Sequence, residues 1–151
     1  APLESSTSTG LRPQMTQNRI TVEATAPAPL DVAWKAYTSP DQIMQWNFAS
    51  DDWHCPAASV DLKEGGKFTS RMEAKDGSMG FDFEGTYTKI IPNTRIEYAF
   101  GDRNAVVEFT PSGEQTHVKI AFDPDEHVPI DHQRDGWAAI LGNFCQHVGR
   151  R

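Results

Sequence analysis

The residues able to carry acid–base or metal chemistry are few and scattered. Five histidines occur: His54, His117, His127, His132 and His147. Asp51, Asp52, His54 and Cys55 are metal-capable types bunched together, but their spacing matches no zinc signature. A solvated loop is the better reading of that segment. His127 and His132, flanked by Asp125, Glu126 and Asp131, have the types for a divalent cation. The plainer reading there is an acidic loop that caps a helix start. No metal and no cofactor is expected. The chain has no nucleophile elbow, no GxGxxG, no P-loop and no HExxH. Cys55 and Cys145 form no CxxC and suggest no disulfide framework, which fits a reducing compartment.

Aromatic side chains are the more distinctive resource. Trp46, Phe48 and Trp53 fall within eight positions, in a stretch with neither helical nor strand period. They form either the mouth of a cavity, stacking on a flat ligand, or a structural plug closing the core. Tyr87 and Tyr98 are the candidate polar handles, because a buried phenol needs a partner.

The elements that must position these residues follow from periodicity. Ile20, Val22 and Ala24 alternate with polar residues as a strand. A short helix follows Pro29, and a second runs from Pro40 to about Gln45, with Ser39 as its N-cap. Trp46 to Pro56 reads as an ordered loop. Further strands are expected at 57–62, 67–75, 80–91, 95–100, 105–110 and 115–122, separated by turns at Asp76-Gly77, Pro92-Asn93, Gly101–Asn104 and Pro111–Glu114. Gly85 marks an expected bulge. Asp82, Glu84, Glu73, Glu97 and Lys89 lie on the parity opposite the aromatics and should face solvent. A bulge near Gly85 would turn Glu84 or Lys89 inward. Trp137, Ile140, Leu141, Phe144 and Val148 recur at helical spacing, the strongest period in the chain. Packing that stripe into a curved antiparallel sheet gives an α+β domain, often with concave apolar space between them.

The chain has 151 residues, 38% of them hydrophobic, enough for one domain with a core. Its formal charge of −7 and lack of a basic block argue against nucleic acid and anionic membranes as partners. No apolar run reaches the roughly 20 residues of a membrane span, and a cytoplasmic location is expected. Residues 1–14 are Ser/Thr-rich and aperiodic, and read as a tag or disordered leader before Met15, with a functional tail as the alternative. The single domain is placed at 15–151.

Several segments together carry a family resemblance. They are VEATAPAPLDVAWKAYTSPDQIMQW after Thr21, KEGGKF at 63–68, FEGTYTKIIPNTRIEYAF at 83–100, VVEFTPSGEQTHVKIAF at 106–122 and DGWAAILGNF at 135–144. The chain resembles the bacterial branch of the activator of heat shock protein 90 ATPase homologue family. That family lies in the START-like (SRPBCC) helix-grip superfamily, with polyketide cyclases and pollen-allergen-like proteins. The resemblance implies six to seven antiparallel strands wrapped round a long C-terminal helix, two short helices after the first strand, and a cavity between sheet and helix. It implies no catalytic set, since function in such a superfamily lives in the site. In eukaryotic co-chaperones a separate N-terminal domain supplies much of the chaperone binding. Nothing here corresponds to it, so a chaperone partner is not expected.

Three functions compete. The first is a domain, with no assigned catalysis, binding an apolar or aromatic small molecule. Its expected lining is Trp46, Phe48, Trp53, His54, Phe68, Met72, Phe83, Tyr87, Tyr98, Trp137, Leu141 and Phe144. The second is a protein–protein module with a filled core, either a homodimer or a chaperone-related unit. The third is a cyclase- or dehydratase-like enzyme, for which His54, Glu84 and Tyr98 are the available groups. Catalytic residues are not identified.

Overall fold

The computed structural model describes residues 19–149. Strand β1 (Ile20–Ala26) buries Ile20, Val22 and Ala26 and exposes Thr21, Glu23 and Thr25, as its alternation dictates. The strand ends before Pro27, and Pro29 stands at the N-cap of helix α1 (Leu30–Thr38) in an extended conformation. Ser39 is held extended (φ −97°, ψ 125°) ahead of Pro40, which separates α1 from the single turn of α2 (Pro40–Ile43).

Six strands then meander: β2 (Trp53–Val60), β3 (Lys67–Ala74), β4 (Gly80–Ile91), β5 (Arg95–Phe100), β6 (Arg103–Ser112) and β7 (Gln115–Phe122). With β1 they form one seven-stranded antiparallel sheet in the order β1-β7-β6-β5-β4-β3-β2. Helix α3 (Ile130–Gly149) packs against β1 and α1. Its stripe of Leu141, Phe144 and Val148 is buried against the sheet's concave face. This is the helix-grip arrangement.

Three local expectations are corrected. The segment from Trp46 to Pro56 is not all loop, because Trp53–Pro56 opens β2, with Trp53 opposite Ala74 and His54 opposite Glu73. A register shift between His54 and Ala57, at a proline that has no N–H to donate, hides the strand period. The bulge in β4 lies between Tyr87 and Lys89 instead of at Gly85. It flips the parity so that Ile90 joins the concave face opposite Ile96, while Glu84 and Lys89 stay exposed. Gly85 answers to a different demand. A Cβ there would sit 2.5 Å from the ring of Phe68, its register partner on β3. Finally, the turn after β5 is only Gly101-Asp102, and Arg103 is already the first residue of β6.

The loop into α3 is fixed by one buried glutamine. Gln133 accepts from the Asp125 amide at 2.8 Å and donates to the carbonyls of Asp125 (2.9 Å) and Val128 (2.8 Å). Two of the acidic residues beside His127 and His132 are engaged in local structure. Asp125 caps the His127 amide at 2.9 Å, and Asp131 pairs with Arg134 at 2.9 Å. No group of three metal-ligating side chains comes together among the described residues.

Candidate functional site

Between the concave face and the helices lies a cavity of about 290 Å³. One wall is the sheet, with Phe68, Ser70 and Met72 from β3, Phe81, Phe83 and Tyr87 from β4, and Ile96 and Tyr98 from β5. The opposite wall is Trp137, Ile140 and Leu141 of α3. Tyr37, Ile43, Trp46 and Asn47 close the end beneath α1 and α2. β4 continues past β5, since its outermost pairing on that side is Thr86 with Ala99. Phe81 and Phe83 are therefore paired with β3 alone, and Phe81 is 48% exposed. They mark the open side.

Eight of the twelve expected lining residues border this space: Trp46, Phe68, Met72, Phe83, Tyr87, Tyr98, Trp137 and Leu141. Four do not, each for a physical reason. Phe144 is fully buried one layer behind the wall, its ring edge-on to Tyr37 (5.3 Å) and Trp46 (5.1 Å). Phe48 sits in the connection to β2, where its carbonyl accepts a 2.6 Å hydrogen bond from Asn143 Nδ2. Trp53 shares the concave face but lies beyond the cavity edge, packed on Phe81 at 6.0 Å. His54 lies on the outward parity with Glu73, its Nε2 3.8 Å from that carboxylate. The loop aromatics thus divide. Trp46 lines the cavity, anchored by its Nε1–H donating to the Ala36 carbonyl at 3.1 Å, and the others buttress the fold.

The chain's three tyrosines, Tyr37, Tyr87 and Tyr98, all line the cavity. They arrive from α1, β4 and β5 and lie within electrostatic reach of one another. Their rings are packed, Tyr37 against Phe109 at 5.5 Å and Tyr98 against Phe68 at 5.0 Å. Tyr87 and Tyr98 are each 6% exposed. No hydrogen bond joins any of the three hydroxyls to another described residue. Burial lifts Tyr37 and Tyr98 well above the ordinary phenol range and pushes Tyr87 up to about 12. All three stay protonated near neutrality and can donate. Tyr37 was not among the expected residues, although its place in the apolar stretch after Asp31 was recognisable.

One charged side chain joins the wall. Arg103 shares its parity with Ala105, Val107 and Phe109, all inward-facing, and lines the cavity. It was hidden in the sequence by its neighbours Gly101 and Asp102, which read as turn. That parity was the signal available. Among the described residues the lining contains no carboxylate, histidine, lysine or cysteine. Cys55 and Cys145 are free thiols, both raised by burial. The arrangement can therefore desolvate an apolar body, offer phenolic hydrogen bonds and hold one positive charge at its edge.

Comparison with known proteins agrees with this architecture. The family described as "Activator of Hsp90 ATPase homolog 1-like protein" matches residues 27–149. An AHSA1-like protein from Aeromonas hydrophila, solved in solution, is 38% identical with a TM-score of 0.83, covering 87% of this chain and 92% of that one. A protein from Cytophaga hutchinsonii is 46% identical with a TM-score of 0.76, covering 88% and 93%. A Chromobacterium violaceum protein, 20% identical, shares the fold with a TM-score of 0.78 over 87% and 97%. No curated protein matches the chain.

Proposed function

The chain belongs to the activator of Hsp90 ATPase homolog 1-like family, and from its cavity we propose that it binds an apolar or aromatic small molecule between sheet and α3. The observation carrying this reading is the set of three tyrosines, Tyr87 and Tyr98 buried and Tyr37 partly buried. Burying a hydroxyl without a partner costs about 1–3 kcal/mol, and here Tyr87 and Tyr98 bear that cost beside one apolar space that Tyr37 also borders. A ligand with a hydrogen-bonding group would satisfy them while its body packs against Phe68, Phe83, Trp137 and Leu141. A space of this size favours a small molecule over a module whose core is filled. The phenols, held protonated, act as donors and orient the ligand. Reaction chemistry is not part of the proposal, because no wall residue is a base near neutral pH.

The test is thermal unfolding against a panel of apolar and aromatic compounds. A ligand specific for the folded state adds about 2.7 kcal/mol at 100 times its dissociation constant. A concentration-dependent rise in Tm that disappears in Ile140→Trp, which fills the cavity from a partly exposed wall position, supports the reading. A flat response across the panel, or an equal rise in the filled variant, contradicts it.

A further inference from the structure

Arg103 is an anomaly among the sheet's inward-facing residues. The next three inward positions of β6, Ala105, Val107 and Phe109, are apolar and buried. Arg103 points the same way, at the end where β4 overruns β5. Its guanidinium lies over the Phe100 ring, with Cζ 4.5 Å from the centroid, a cation–π contact that uses none of its N–H donors. Phe100 in turn leans on Phe83 (5.6 Å) and Trp137 (5.9 Å), so the platform beneath the guanidinium belongs to the cavity wall.

Its neighbours do not neutralise it. The carboxylate of Asp123, whose backbone Arg103 approaches, is committed elsewhere. One oxygen accepts from Arg19 Nε at 2.9 Å, and the other accepts from the Asn104 amide at 2.9 Å. Arg103 reaches only the Asp123 backbone carbonyl, at 3.5 Å, the outer limit of a hydrogen bond. No described carboxylate pairs with it. Arg71 and Arg95, by contrast, each hold two carboxylates on the opposite face of the sheet. The Arg103 charge is also felt at the Tyr98 hydroxyl, where it opposes part of the upward push of burial. Tyr98 rests on the same Phe100 ring at 5.6 Å, so a cation and an unpartnered phenol donor flank one ring of the wall.

Resting on the reading that this cavity holds a small molecule, the geometry points to an amphiphilic carboxylic acid as its ligand class, the carboxylate on Arg103 and the Tyr98 hydroxyl, the apolar body between Phe68 and Leu141. A guanidinium is planar and presents paired N–H donors that match a carboxylate. The remaining volume limits the body. At about 30 Å³ per water-sized group, the cavity takes on the order of ten non-hydrogen atoms, the size of a medium-chain or bicyclic aromatic acid.

The test is titration calorimetry on the full chain with two matched pairs: naphthalene-2-carboxylic acid with its primary amide, and octanoic acid with octanamide. The acid of at least one pair should bind about tenfold or more tightly than its amide, the discrimination expected of a charged hydrogen bond. Arg103→Gln should bring that acid down to the level of its amide and leave the amide within about twofold. Arg103→Lys should restore part of the difference. Rising salt should weaken the wild-type acid more than the amide, a readout that needs no variant. Equal binding of acid and amide, an equal loss of both in Arg103→Gln, or amides binding alone would overturn the assignment while leaving the cavity's binding role intact. Binding of none of the four compounds would overturn both.

Discussion

Removing the Tyr98 hydroxyl should not weaken the ligand-free protein. Tyr98 is 6% exposed, and its ring rests on Phe68 (5.0 Å) and Phe100 (5.6 Å). Tyr98→Phe keeps every one of those ring contacts and deletes only an oxygen. A buried tyrosine with a satisfied hydroxyl loses about 0.5–1.5 kcal/mol in such a change, and the abandoned partner adds to the loss. Here no described residue accepts from or donates to the hydroxyl, so deletion recovers part of the roughly 1–3 kcal/mol of unpaired burial. The expected outcome is a gain of about 1 kcal/mol, or roughly 3–5 °C in Tm for a domain of this size. The same variant should bind a hydrogen-bonding ligand more weakly, by about fivefold to tenfold. The assay is urea unfolding of wild type and variant, both refolded from denaturant to strip bound compounds and compared at equal m-value. A loss of more than about 1 kcal/mol in the ligand-free variant would refute the reasoning, because it would mean the hydroxyl already has its partner inside the protein.

Three further outcomes are expected. Gly85→Ala should cost about 1–3 kcal/mol by overpacking, since its Cβ would meet Phe68 at 2.5 Å and the Ala99 carbonyl at 2.8 Å; denaturant unfolding reads this, and adding Phe68→Leu should relieve part of it. Gln133→Leu removes three hydrogen bonds around the start of α3 and should cost about 2–3 kcal/mol, with faster amide exchange at Asp125 and in the first turns of α3. The tyrosine absorbance near 295 nm reads only cavity residues, because the chain's three tyrosines all line that space. For Tyr87, an acid raised from 10.0 to about 12 in the fold, stability is fully present below pH 10 and declines as pH rises through about 12. Tyrosinate should therefore form late and together with unfolding, whereas ionisation of all three near pH 10 in the folded protein would contradict their burial.

The α+β architecture was legible because alternation and helical spacing are strong where one face is buried. Ile20 and Val22 of β1 and the α3 stripe ending at Val148 fall as their periods demand. The pattern failed where the backbone departs from regular pairing. The shift between His54 and Ala57 hid the start of β2 and left Trp53 and His54 looking like a loop mouth. The bulge between Tyr87 and Lys89 moved the inward set from Tyr87 to Ile90. Glycine was misread for a related reason. Gly85 looks like a bend, yet its role is to admit a ring from the neighbouring strand, a tertiary demand that leaves no local trace. Charge misled in the same way. Arg103 follows Gly-Asp and invites a turn assignment, although the parity set by Ala105 onward points it inward. Phe144 shows the limit of a helical stripe, which tells that a side chain is inside but not whether it meets empty space or another ring.

The central claim is that the tyrosine-lined cavity binds a small molecule, and labelled tyrosine rings test it most directly. Ring-labelled tyrosine gives three reporter residues in this chain, all on the cavity wall. Titrating in a compound that raises Tm should move the signals of Tyr37, Tyr87 and Tyr98 together along one binding curve. The shifts should vanish in Ile140→Trp. A compound that stabilises the protein but leaves all three tyrosines unmoved would place binding elsewhere and contradict the account.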